Sequence, residues 1–336
     1  HYPTIDDPLE VIREPDVIYI SHIHPDHYDP IFLKKLFKKW GQKPVIIPDF
    51  ESNYLHLRSQ FDGISTTPTK TRTYGDTQIQ IVPNITGSES DIDSAIFVND
   101  RHHSVLNLND CIWSDEHVKL LQSLTKCEQK PIDLLALGFT GAGPYPQTYF
   151  DLDTEIEIME SKAEKKRQEF FERYTRFCSA FPSRYHLPFA GQYILGGKLA
   201  NLNPYRGVAD AFEITRFDKS AIVLADHGEG VIDLASQRIS KVRSSLYDVQ
   251  ELNAAIEKIS SNKMNYESEI LIPFYKINFD RLLKASYVKA KNRSTVTEDY
   301  YFLVEARGEE DQVHRCLLNA NPKNPAIVPI VPTPCE

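Results

Sequence analysis

The sequence has no cysteine pair at the spacing of a metal knuckle or a disulfide framework. Its five cysteines (Cys111, Cys127, Cys178, Cys316 and Cys335) are scattered and odd in number, and none lies in a C-x-x-C. That pattern points to a reducing, cytoplasmic setting. Long apolar runs are missing as well, and nothing approaches the ~18 residues of a membrane span. Positive charge is in deficit: 38 Lys and Arg face 47 Asp and Glu, a formal net charge of −9. An acidic surface argues against general nucleic-acid binding, which needs clustered Lys and Arg. It leaves open a small anionic substrate held by a local arginine or a metal. What remains is the composition of a globular protein, 41% hydrophobic and 25% charged over 336 residues. A chain of that length buries a sizeable core and divides into a large and a smaller domain, or into two domains.

Apolar patterning outlines an α/β chain. Val17–Ile20 reads as a buried strand that runs straight into Ser21-His22-Ile23-His24-Pro25-Asp26-His27. Residues 30–40 read as a helix, with Pro30 in its first turn and Leu33, Leu36, Phe37 and Trp40 on one face. Strands are expected at 45–47, 77–82 and 132–137. A hairpin joins 94–99 to 103–108 around Asn99-Asp100-Arg101. Residues 151–181 read as a long amphipathic helix and 183–189 as a strand. A second hairpin is expected between 221–224 and 231–234, around His227-Gly228-Glu229-Gly230. The texture changes near residue 240. The expected domains are 1–240, which carries the chemistry, and 241–336, a smaller α+β appendage.

The chemistry sits in His22-x-His24-x-Asp26-His27, four metal-ligand side chains in six positions. Imidazole nitrogen and carboxylate oxygen suit zinc and iron. Residues two apart on an extended segment face the same way, so His22 and His24 can grip one ion. After the turn at Pro25, Asp26 and His27 can face a second. Two ions roughly 3.5–4 Å apart activate a species held between them. The plainer alternative is a polar surface loop, which the preceding buried strand argues against.

The pattern H-x-H-x-D-H after a strand resembles the signature of the metallo-β-lactamase superfamily, an αββα sandwich with metals at one edge. Further segments resemble the metallo-β-lactamase-like domain of CMP-N-acetylneuraminate hydroxylase and related hydroxylases. They are Asp16–His27, Ser104–Cys111, Gly138–Pro146 and Pro188–Tyr193, with a weaker match at Ala221–Leu234. With 21 residues ahead of His22, the resemblance implies that the superfamily's first strands lie outside this chain.

The resemblance implies further ligands. Asp110, at the end of a strand, would bridge the two ions. His186 would complete the second ion with Asp26 and His27, although the hydroxylase departs from histidine there. The usual middle histidine is missing. Glu89 stands near its place, with Asp91 or a solvated loop as alternatives; His102 and His103 read as a hairpin tip. A glutamate ligand is harder than histidine and suits iron. Tyr145, Gln147, Gln192, Tyr193 and Arg206 lie in or beside family-like loops as candidate substrate contacts. Asp26 and Asp110 are the candidate catalytic groups.

The resemblance thus implies an oxygenase or hydroxylase with two metal ions, iron favoured over zinc. Its substrate would be a small molecule, with a nucleotide-sugar implied. Electrons would come from a partner protein or a Rieske domain, since this sequence has no C-x-H…C-x-x-H. The alternative is a zinc or mixed-metal hydrolase of an ester, amide, thioester or phosphodiester.

Overall fold

A computed structural model describes residues 7–87, 91–141, 143–190, 193–226, 228–264, 276, 278–294, 296–307 and 313–330. Its internal packing divides the chain into two compact units, His1–Asn262 and Lys263–Glu336.

The first unit opens with a short helix α1 (Pro8–Val11), then β1 (Ile18–Tyr19), α2 (Pro30–Trp40), β2 (Val45–Ile47), α3 (Tyr54–Phe61) and β3 (Thr67–Pro68). Strands β1, β2 and β3 pair in parallel, with Ile18 opposite Val45 and Ile46 opposite Thr67. Helix α2 starts where Asp29 accepts hydrogen bonds from the Ile31 and Phe32 amides and Pro30 supplies a preset φ. It stops at Gly41, whose φ of 77° is cheap only for glycine.

Six strands form the main sheet: β4 (Thr71–Tyr74), β5 (Thr77–Pro83), β6 (Ser94–Asn99), β7 (Ser104–Asn107), β8 (Ile132–Gly138) and β9 (Ser183–Phe189), side by side in that order. The first four are antiparallel; β7, β8 and β9 run parallel. Helix α4 (Asp115–Thr125) crosses from β7 to β8, and α5 (Ile156–Ala180) from β8 to β9.

Period-2 alternation on β2 explains how the sheets stack. Ile46 packs against Ile79, Ile81 and Ile96 of the main sheet. Val45 and Ile47 point the other way, onto Leu33 of α2 and Leu55 of α3. The opposite face of the main sheet carries Phe97, Leu106, Leu135 and Leu137 against Val118 and Leu121 of α4 and Tyr174 and Phe177 of α5. The layers therefore run helices, sheet, sheet, helices.

One expectation is corrected. The second hairpin forms between β10 (Val231–Asp233) and β11 (Arg238–Ser240), not between 221–224 and 231–234. Its turn is closed by Asp233, whose carboxylate accepts from the Ala235 and Ser236 amides, and by Gln237 at φ 56°. Ala221 instead bridges His186, and Leu224 bridges Val242. Helix α6 (Val249–Ser260) packs on the 3-10 helix Gly197–Tyr205 of the first unit.

The second unit holds helix α7 (Phe279–Arg293) and an antiparallel sheet of β12 (Tyr301–Arg307), β13 (Val313–Asn319) and β14 (Ala326–Ile330). Among the described residues, no helix is long and apolar enough to cross a membrane. Cys111, Cys127, Cys178 and Cys316 are all unbridged.

Candidate metal centre

Strand β1 delivers the histidine motif. Its ladder to β2 ends where the Ile20 amide donates to the Ile46 carbonyl (3.1 Å). The chain then coils once, with the His27 and Tyr28 amides both donating to the His24 carbonyl (3.0 and 2.8 Å). That turn swings His27 back over His22, at 4.0 Å between ring centroids. His22 is fully buried, His27 half-buried, and His24 and Asp26 face solvent.

Two imidazoles, His22 and His27, meet the Asp110 carboxylate, and His24 stands beside His22. Nε2 of His22 lies 2.9 Å from Nδ1 of His24. Asp110 Oδ2 lies 3.7 Å from His22 Nε2 and 3.4 Å from His27 Nε2. Asp26 Oδ2 is 3.9 Å from His27 Nε2. Two groups, His22 with His24 and Asp93, and His22 with His27 and Asp110, each offer three ligand atoms within 4.8 Å of one another.

The far edges of the rings are held as well. Ser21 Oγ is 3.0 Å from Nδ1 of both His22 and His27. A hydroxyl oxygen that accepts from Nδ1–H of both rings leaves each Nε2 lone pair free on the Asp110 side. Ser21→Ala is expected to weaken metal affinity by about 10–100-fold, the usual cost of an outer partner, with the thermal midpoint little changed. Competition titration against a chromophoric chelator reads this, and unchanged affinity refutes the orienting role.

A polar network ties the two sheets together under the site. Tyr19 OH lies 2.7 Å from Ser94 Oγ, and Ser94 Oγ donates to the Ser21 carbonyl (2.8 Å). Asn109 Nδ2 donates to the Ser94 carbonyl (2.8 Å) and to Tyr19 OH (3.2 Å). Asn109 itself turns the chain at φ 48° to present Asp110. Gly138, at the end of β8, leaves room for that turn: a Cβ there would sit 2.8 Å from the Asn109 carbonyl oxygen and 3.1 Å from Asp110 Oδ1. Gly138→Ala is therefore expected to displace Asp110, destabilising the protein by about 1–3 kcal/mol and lowering metal occupancy. Calorimetry and elemental analysis check this; wild-type occupancy would mean that the turn absorbs the methyl freely.

Burial holds the His22 imidazole neutral, its pKa pushed down to about 4, with His27 adding to the effect. A neutral ring keeps the lone pair a metal needs. Burial pulls the His27 pKa down, but its bond to Asp110 and that residue's charge outweigh this, and the net shift is upward. The bond from His27 holds the Asp110 carboxyl low against its own burial. Asp93 is pushed up by burial and by the charge of Asp110. Asp93 Oδ1 is buried without a hydrogen-bond donor, although His22 Nδ1 lies 3.3 Å away. A buried carboxylate oxygen lacking a donor, beside the neutral His22 ring, fits a cation.

The other sequence candidates divide. Glu89 and Gln192 lie outside the described residues. Asp91 caps its own loop by accepting from the Thr86 amide (2.7 Å). Asp93 is the carboxylate that stands beside His22 and His24. His102 and His103 occupy the tip between β6 and β7, their amides bound to Asp100. His186 is not brought to Asp26 and His27. It pairs with Leu135, three residues before Phe189 pairs with Gly138 beside Asp110. That is about 10 Å down the sheet, and its Nδ1 meets Asp218 Oδ2 at 2.6 Å.

Three of the substrate-contact candidates converge. Gln147 Nε2 donates to Tyr193 OH (3.0 Å) and to the Gly143 carbonyl (2.8 Å), and the Arg206 guanidinium lies 5.4 Å from the Tyr193 ring centroid. Gln147 Oε1 and Arg206 Nη1 are buried without partners. Tyr145 instead stacks on Tyr149 and Phe150. Sequence reasoning missed Asp93 and Arg173. Arg173 projects from α5, donates to the Cys111 carbonyl (3.0 Å), and helps to hold Asp110 and Asp93 ionised.

No family profile matches the chain. The chain is distantly similar to CMP-N-acetylneuraminic acid hydroxylases. The enzyme of that name from Cricetulus griseus is 23% identical over 190 residues, covering 55% of this chain and 32% of that protein. A protein of Mycolicibacterium smegmatis, provisionally named a Rieske 2Fe-2S iron–sulfur protein, is 27% identical over 208 residues, 59% of this chain and 38% of that one. The chain thus spans less than two fifths of the length of these relatives. Among solved structures, a metallo-β-lactamase-fold protein of Bacillus subtilis matches 57% of this chain and 69% of its own, at 16% identity and a TM-score of 0.32. A β-hydroxylase and a possible metal-dependent hydrolase are among the others.

Proposed function

We propose that the first unit is a metallo-β-lactamase sandwich whose edge holds two metal ions, and that the protein is an oxygenase or hydroxylase of a small organic molecule. The observation that carries the metal assignment is the pair of ligand groups that meet at His22, one with His24 and Asp93 and the other with His27 and Asp110. His22 and His24 would hold one ion with Asp93 as its carboxylate, and Asp26 and His27 the other, with Asp110 between them and the His22 ring within reach of both. Three carboxylates in the set favour iron over a softer metal. Bound iron would supply dioxygen activation, the chemistry that side chains alone lack. Ser21 and Arg173 hold the ligand rings and carboxylates in place. Gln147, Tyr193 and Arg206 are read as substrate contacts, with Arg206 suited to an anionic group. Similarity to the hydroxylases supports this reading and makes a nucleotide-sugar the first substrate to try. A Rieske protein or domain is the electron donor to try with it.

The exposed His24 and Asp26 favour a second reading, hydrolysis by zinc, because they leave the centre open to water. Elemental analysis of protein purified without added metal separates the two. About two irons per chain, with dioxygen consumed when a reductant is supplied, is the expected result. Zinc without iron, and no dioxygen uptake, would overturn the oxygenase reading.

A further inference from the structure

A separate set of ligand atoms lies where helix α5 meets strand β9. Helix α5 presents Tyr174 and Cys178, one turn apart on one face. Strand β9 presents His186, and the loop after the 3-10 helix Ala211–Arg216 presents Asp218. Asp218 Oδ2 accepts from Tyr174 OH at 2.5 Å and lies 2.6 Å from His186 Nδ1. Its Oδ1 accepts from the Ser220 amide at 2.8 Å. Cys178 Sγ, a ring nitrogen of His186 and a carboxylate oxygen of Asp218 all lie within 4.8 Å of one another. His186 Nε2 is buried with no partner. Among the described residues, neither Lys nor Arg pairs with Asp218.

We propose that Cys178, His186 and Asp218 form a second binding site, for a divalent ion of the zinc class, distinct from the His22 centre. One thiol, one imidazole and one carboxylate make a mixed soft and hard donor set, which zinc accepts in tetrahedral sites. Charge favours it too. The half-buried Asp218 carboxylate has no Lys or Arg partner among the described residues, whereas a dication bound to one thiolate and one carboxylate leaves the pocket neutral. Binding forms the Sγ–metal bond and releases the thiol proton to solvent, since coordination deprotonates the thiol outright. Tyr174 OH then remains as the outer partner that orients the Asp218 carboxylate. Without metal, burial keeps the Cys178 thiol protonated, its pKa pushed up to about 12, so the site has no nucleophile to offer. The His22 clusters contain no sulfur, which makes the two sites separable by spectroscopy.

The test is a cobalt(II) titration of the whole chain. A sulfur-to-cobalt charge-transfer band in the near ultraviolet is expected, saturating at one equivalent. Cys178→Ser should remove the band and one bound equivalent. Asp218→Asn should weaken cobalt binding at this site by about 10-fold or more. A His22→Ala chain should keep the band while losing the other ions, so failure of the His22 centre leaves this result intact. Cys111→Ser, the variant at the thiol next to Asp110, should also keep it. No band in saturated wild-type protein overturns the proposal whatever the variants do. A band that survives Cys178→Ser, or that disappears with Cys111→Ser, overturns it as well.

Discussion

A His22→Ala chain is expected to lose both ions of the histidine centre together. His22 is the one residue shared by the two ligand groups, with Asp93 and His24 on one side and His27 and Asp110 on the other. Its Nε2 is within 2.9 Å of His24 and 3.7 Å of Asp110. Removing the ring also frees Ser21 Oγ, which is 3.0 Å from both His22 and His27, so His27 loses its orienting partner. The expected loss in metal affinity and turnover exceeds the ~100-fold upper range for an outer partner. His27→Ala is the contrast, because it touches only one group and should leave one ion bound. Elemental analysis and turnover of both variants, with circular dichroism to confirm folding, decide the matter. Equal metal content in His22→Ala and wild type would refute the centre as drawn. Loss of one ion in each variant would refute the sharing.

How much of this was legible depended on how local each feature is. The histidine motif is contiguous and follows a buried strand, so sequence alone exposes it. Asp110 stands out only through the family resemblance, since a strand-end aspartate is by itself an ordinary turn residue. Asp93 was within four positions of the expected carboxylate, Glu89, but nothing in the sequence marks it. Its role comes from β6 lying across from β1, a tertiary fact. His186 was misplaced because strand order does not give register: a shift of three residues along β9 moves it from the sheet edge to the interior. Cys178 and Asp218 meet only because α5 folds back onto β9. Helix α3 lies in a stretch that the apolar pattern leaves unassigned. Its large side chains Tyr54, Leu57 and Phe61 are exposed while Leu55 and Ser59 are buried, so the apolar pattern does not mark the packed face.

Below pH 6.5 the fold is expected to weaken through His117, a residue outside the metal centre. His117 is 1% exposed, at the start of α4. Its Nδ1 meets Asn84 Nδ2 at 3.0 Å and its Nε2 has no partner. Burial pushes its pKa down from 6.5 to about 4. Between those values the unfolded chain binds a proton that the folded chain refuses. Stability from the neutral ring is therefore complete above pH 6.5 and is lost as the pH falls toward 4. The loss amounts to about 3 kcal/mol across that window. Other carboxylates also titrate on acidification, so the informative quantity is a difference. Urea unfolding of wild type and His117→Asn from pH 7 to pH 4 should show a steeper decline in wild type, with the variant losing about 3 kcal/mol less. The variant gives up packing at every pH, which lowers its curve without changing its slope. Parallel curves would mean that His117 is protonated within the fold, with the added Nδ1 proton finding an acceptor, and the buried neutral ring would have to be abandoned.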